Sequence, residues 1–182
     1  MGSKSGRRRI VAEAVDRGKG VDAAGLTPFF RDIRRRHPLE SLTFLCIGTD
    51  CSSGDALGPL VGTRLLYLGF PHVIGTLAHP CDSSNFAERV RQIPEGHAVI
   101  AIDACLGTPS SVGRYILGAG PLTPAESVGG GLAAAGDYSI AAVVNVRGLR
   151  PYSSLQMTSL HRVMNMVDEI AGAAADAFGM PV

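Results

Sequence analysis

Short unbroken apolar runs alternate along this chain with segments whose apolar residues recur every three or four positions. The runs are LTFLCIG (42–48), HVIGTL (72–77), HAVIAID (97–103), GRYILGAG (113–120) and YSIAAVVNV (138–146). They are brief and bounded by glycine, proline or polar residues, which predicts strands, with LTFLCIG and YSIAAVVNV continuous enough to be buried on both faces. The periodic segments predict helices. LTPFFRDIRRRH (26–37) has Thr27 as the expected cap, Pro28 at the first helical position and Pro38 past the end. ALGPLVGTRLLYLG (56–69) places Leu57, Leu60, Val61, Leu65 and Leu68 at helical spacing, with Gly69 as the stop. SSNFAERVRQI (83–93) has Ser83 or Ser84 as cap. In residues 153–178, read as one long helix, Leu160, Val163, Met164, Val167, Ile170, Ala171 and Ala174 form one stripe.

Strand–helix alternation with buried strands predicts an α/β fold, a mostly parallel central sheet covered by helices on both faces in three α/β/α layers. Residues 1–40 read as an N-terminal extension with a short helix, preceded by a loose stretch with one helical turn near VAEAV (11–15). Residues 41–182 read as a single α/β/α domain. No internal repeat is visible. The Gly- and Pro-punctuated stretch 120–137 is long enough to be a lid.

Composition narrows the class. With 182 residues, 46% of them hydrophobic and 18% charged, the chain can bury a sizeable core and is not of disordered composition. A formal net charge of +1 gives no bulk case for nucleic acid or membrane. The basic clusters GRRR (6–9) and RDIRRR (31–36) read as a solvated tail and a helix's polar face, or as a docking patch for an acidic partner. No run approaches the roughly 18–20 apolar residues a membrane span needs. The basic start lacks the apolar core of a signal peptide. Cys46, Cys51, Cys81 and Cys105 show no C-x-x-C spacing, so a reduced cytoplasmic compartment is expected. Cys46 and Cys105 read as small core residues, and Cys51 and Cys81 as loop residues nearer the surface.

In open α/β sheets, ligands bind beyond the carboxyl ends of the strands. Two carboxylates are expected there. Asp55 follows the first strand across the loop TDCSSG, and Asp103 directly follows AVIAI. If their strands are neighbours, both can face one crevice. Two close carboxylates share a proton, and such a pair can activate a water and protonate a leaving group, or hold a metal ion through oxygen. Each also has a plainer reading, Asp55 as a helix cap and Asp103 as the start of a turn. A helix N-terminus favours a charged carboxylate, so Asp55 is expected to stay ionised and Asp103 to hold the proton. Asp50 orients the site or bonds its own loop, and Asn145, at the end of a strand, reaches the crevice or bonds a turn.

Other chemistries fit less well. GTDCSSGDALG lacks the phosphate-loop spacings, and its aspartates repel phosphate. No spacing forces a Cys–His pair together, and Cys105 near Asp103 reads as a small buried residue. The histidines at 37, 72, 79, 97 and 161 are too scattered for a structural zinc site.

The blocks CIGTDCSSGDALGPLVG (46–62), IAIDACLG (100–107), VGRYILGAGPLTP (112–124) and VVNVRG (143–148) resemble the YyaC-type sporulation proteins, relatives of the germination protease that degrades small acid-soluble spore proteins. The resemblance covers roughly residues 41–172. It implies a phosphorylase/hydrolase-like α/β/α sandwich of the kind found in that protease and in hydrogenase-maturation endopeptidases. It implies Asp55 and Asp103 as the catalytic pair, with Asp50 and Asn145 in support. Gly54 stands where the protease motif has proline, and Asp50 where those relatives commonly have asparagine. No histidine lies between Asp103 and the last helix, so the metal-ligand set of the maturation enzymes has no evident third member here and no metal or cofactor is expected.

The reading that follows is an aspartate-dependent endopeptidase of the forespore or spore core, acting on a spore protein or peptide, with no nucleic acid or membrane partner and room for self-association. The alternatives are a non-catalytic sporulation protein that binds a partner on the same fold, and a metal-dependent protease of the maturation type.

Overall fold

The computed structural model describes residues 20–124 and 132–181. The basic run 6–9 and the helical turn expected at 11–15 lie outside them, as does part of the expected lid. Strands β1 (Leu42–Cys46), β2 (Val73–Ile74), β3 (Ala98–Gly107), β4 (Tyr115–Gly118) and β5 (Tyr138–Val146) form one sheet in the order β2–β1–β3–β5–β4. β1 pairs in parallel with β2 and β3, and β3 with β5, while β4 is an antiparallel edge on β5. The helices are α1 (Leu26–Arg36), α2 (Leu57–Tyr67), α3 (Phe86–Val90), α4 (Pro151–Gln156) and α5 (Leu160–Phe178). No helix of the described residues is long and apolar enough to cross a membrane.

Side chains alternate across a strand, and the sheet uses this to build two cores. Leu42, Phe44 and Cys46 of β1, Ile100 and Ile102 of β3, and Ile140 and Val144 of β5 pack with α1, α2 and α5. Leu45, Val99, Ala101, Ala141 and Val143 face the other way, against Phe86 and Val90 of α3 and the loops beside it. The expected three layers are present, with a much thinner helical layer on the second face.

α1 belongs to the first core although it precedes the expected start of the domain at 41. Its Leu26, Phe30 and Ile33, spaced i, i+4, i+7, are fully buried, while Arg34, Arg35 and Arg36 sit in its last turn, where cations suit the helix dipole. Phe30 joins Phe44, Phe70 and Phe178 in an aromatic cluster, Phe44 and Phe70 meeting edge-on at 5.0 Å. Arg34 Nη1 donates to the carbonyl of Ala177 at 2.7 Å, tying α1 to the end of α5. Before α1, Val21 bridges the outer edge of β4, exchanging backbone hydrogen bonds with Tyr115 at 2.8 and 2.9 Å.

Several boundaries differ from expectation for identifiable reasons. Thr27 does not cap α1; Gly25 precedes the helix and Thr27 lies inside its first turn. β2 is cut short by Gly75, whose φ of +89° leaves the strand region and where a Cβ would lie 1.8 Å from the carbonyl oxygen of Cys46. Neither Ser83 nor Ser84 caps α3: Asp82 Oδ1 accepts from the Ser84 backbone and hydroxyl at 2.8 and 2.6 Å, holding the serines in a turn before Asn85. The long helix expected over 153–178 is two helices, broken at Met157–Ser159. There Thr158 Oγ1 donates to the Ser154 carbonyl at 2.8 Å, and Ser159 starts α5 by accepting from the Arg162 N–H. β3 runs four residues beyond the expected end at 103, because the apolar run of β5 offers a parallel partner as far as Gly107–Val146.

Candidate active site

The loop that leaves β1 is fastened to the ends of its neighbours by backbone bonds. Ile47 N–H donates to Ile102 at 2.8 Å, Gly48 N–H to Cys81 at 2.9 Å, and Thr49 N–H to Asp55 at 3.2 Å. The return of the loop onto itself requires glycine at 48. Its φ is +146°, and a Cβ there would stand 2.0 Å from the Asp55 carbonyl oxygen. Ser52 and Gly54 then accept from Ala56 and Leu57, winding the chain into α2. On its far side the loop is held by α4, where Gly54 N–H donates to the Leu155 carbonyl at 3.0 Å.

Asp55 is half-buried and does not cap α2: Ala56 is the capping residue, and no side chain bonds the free N–H groups there. Burial raises its pKa above the ordinary carboxylate value, and the nearby Ser52 hydroxyl works in the opposite direction. The net shift of Asp55 is upward, opposite to the direction expected of a carboxylate at a helix N-terminus, because desolvation outweighs a helix start that the carboxyl does not bond. Ser52 Oγ is itself buried and has no hydrogen bond of ordinary geometry among the described residues.

Asp103 does not begin a turn. It lies within β3, in register with Ala141 of β5, on the face that carries Val99, Ala101 and Cys105. Its Oδ1 accepts from the Ala104 N–H at 2.8 Å. Its charge reaches two thiols. Burial pushes Cys81 up to about 11 and Cys105 up to about 12, with Asp103 adding to both and Asp82 to Cys81, against the pull of Arg89 on Cys81 and of Arg147 on Cys105. Both thiols are held protonated at neutral pH, which removes them as ready nucleophiles. Cys81, expected near the surface, has no exposed area at all.

β1 and β3 are neighbours in parallel, so Asp55 and Asp103 belong to the same end of the sheet, joined through Thr49 and Ile47. Asp50 is on the same loop but exposed, with its Oδ1 toward Cys51 Sγ at 3.9 Å. Asn145 lies at the end of β5 and turns toward α4. Its Nδ2 donates to the Ser154 carbonyl at 2.9 Å and to Thr158 Oγ1 at 3.3 Å, and its Oδ1 accepts from Val146 N–H. α4 in turn holds Gly54, so Asn145 supports the Asp55 loop from behind. Ser52 and Thr158 went unremarked in the sequence; only the Ser-Ser-Gly-Asp string hints at the first. Among the described residues, no group of three or more His, Cys, Asp and Glu side chains is arranged to hold a metal ion. A cleft of about 760 Å³, lined in part by His37, His97, Asp137 and Tyr138, lies at the opposite end of the sheet, where β3 and β5 begin, and takes in none of these residues.

Residues 26–173 match the model of a family described as a protein of unknown function, DUF1256. The chain belongs to the DUF1256 family. The matched span of the DUF1256 member takes in α1 and all of Asp50, Asp55, Asp103 and Asn145. It is 44% identical over 137 residues to the protein printed as "Uncharacterized protein YyaC" of Bacillus subtilis (strain 168), covering 72% of this chain and 67% of that one. The resemblance to YyaC-type proteins carried by GDALGP and DACLG therefore holds. Among solved structures, the crystal structure of a NiFe hydrogenase maturation protease, HycI from Thermococcus kodakarensis KOD1, aligns with a TM-score of 0.47 and 19% identity, over 76% of this chain and 92% of that one.

Proposed function

We propose that the protein is an aspartate-dependent endopeptidase acting on polypeptides of the spore. The observation that carries this reading is Asp55: a half-buried carboxyl with a raised pKa, on a loop fastened to β3 at Ile102, next to Asp103, and without a capping role. Such a carboxyl is suited to carry a proton at the start of a reaction. Asp103 is the base. It takes a proton from a water whose oxygen bonds the peptide carbonyl carbon. Asp55 gives its proton to the leaving nitrogen as the C–N bond breaks, and the proton on Asp103 passes to Asp55, restoring the pair. The spore setting is drawn from the YyaC-type resemblance.

The test uses the full chain with unfolded casein and with purified spore proteins, with and without chelator. Asp55→Asn and Asp103→Asn are each expected to lose about 10²-fold or more in rate while keeping the parent's circular dichroism and a cooperative melting transition. Chelator is expected to change nothing. Undiminished cleavage by either folded variant would sink the reading. A second reading, a partner-binding protein without catalysis, draws on the exposed apolar side chains beside the site. It gains if the unmodified protein cuts neither substrate yet binds polypeptide.

A further inference from the structure

Isolated apolar side chains in water are ordinary on a protein surface, but a dense run of them marks a contact site. Between β5 and the second turn of α5, Leu149 is 103% exposed and Met157 82%, and Val146, Tyr152, Leu160 and Met164 are exposed as well. This segment abuts the candidate active site. Leu155, buried beneath it, accepts the Gly54 N–H at 3.0 Å, one residue before Asp55, and Asn145 pins Ser154 and Thr158. Leu160 and Met164 are one helical turn apart and so lie on one face of α5.

The charge on the segment has one sign. Arg147 and Arg150 are exposed, and Arg162 is half-buried with Nη1 on the Val144 carbonyl at 3.2 Å. No carboxylate occurs in the sequence between Asp137 and Asp168. The surface is therefore apolar and cationic together, and its complement is apolar and anionic. An anionic membrane also has that chemistry. What favours a polypeptide is continuity with the loop of Asp55, since a chain lying on this segment is already beside the carboxyls.

We propose that residues 146–164 dock an acidic, amphipathic segment of a polypeptide and present the adjoining stretch to Asp55 and Asp103. The proposal rests on the reading that a polypeptide reaches this pair. Docking precedes any bond change, so it can be measured without turnover.

The test measures fluorescence anisotropy of a labelled peptide of Glu, Leu and Ser on the full-length Asp55→Asn protein, beside the same peptide with Lys for Glu. The acidic peptide is expected to bind at least tenfold tighter. Leu149→Ser with Met157→Ser, and separately Arg147→Glu with Arg150→Glu, are each expected to weaken it at least tenfold. Charge reversal is also expected to flatten the salt dependence. These side chains are exposed, and unchanged melting profiles check the fold. Equal binding of both peptides, or unchanged affinity in both double variants, overturns the proposal. So does binding to phosphatidylserine vesicles that the double variants abolish, with no peptide binding. The two readings fail separately. If the unmodified protein cuts casein but the double variants leave KM and kcat alone, docking falls and the peptidase stands. If the acidic peptide binds as described and nothing is cut, docking stands and the peptidase falls.

Discussion

Asp55 is buried enough that its charge is costly, and the sign of that cost can be tested. Its folded-state pKa is raised above the ordinary value near 3.8, chiefly by burial. The folded protein thus holds this proton more firmly than the unfolded chain does. Stability contributed by the group is present at low pH and is lost as pH rises from about 3.8 through the raised value; above that the desolvation cost is fully in force. Asp55→Asn removes the charge, so the variant is expected to melt higher than the parent at pH 7 and close to it at pH 3. A gain of about 1 kcal/mol would appear as about 2–4 °C for a chain of this size. A variant less stable than the parent at pH 7 would mean that the carboxylate is stabilised by contacts stronger than burial. The residue's position was legible in the sequence, but the direction of its pKa shift was not. The helix start argued for charge, and only the structure shows that Ala56, not Asp55, holds the cap position.

At the scale of elements, Asn145 links the end of β5 to α4. Its two donated bonds hold α4 against β5, and α4 holds Gly54. Asn145→Ala leaves the Ser154 carbonyl and Thr158 hydroxyl with fewer partners and is expected to cost about 1–3 kcal/mol. As a positioning residue it should also lower kcat on casein by more than it raises KM. A loss of stability with kcat unchanged would confine Asn145 to structure. Here the hydrophobic pattern was informative and incomplete. Among the described residues it located every strand, because burial on both faces leaves continuous apolar runs, and it found Val163, Val167, Ile170, Ala171 and Ala174 of the buried stripe of α5, while Leu160 and Met164, read into the same stripe, are exposed. It missed the break at Met157–Ser159, since three residues of Thr and Ser chemistry hardly disturb an apolar period. It ended β3 at Asp103 because an aspartate looks like a terminus. A strand's length depends on its partner, and the partner here was some forty residues away in sequence.

Across the whole molecule, the parallel sheet gathers loops of one kind at one end, and Asp55, Asp103, Asn145 and the apolar, cationic surface all belong there. The adjacency of β1 and β3 puts two carboxylates that are far apart in sequence at one end of the sheet, and no local feature of the chain announces it. The antiparallel strand β4 closes the sheet on one side, and its outward backbone is met by Val21. That small bridge bears on how the protein can be trimmed. A chain begun at residue 26 keeps α1 to α5 and β1 to β5, yet it leaves the outer N–H and C=O of Tyr115 open to pairing with another molecule's edge. Light scattering on such a shortened chain is expected to show growing aggregates under conditions that leave the longer chain clear; a clear solution would mean that β4 is too short to recruit a neighbour.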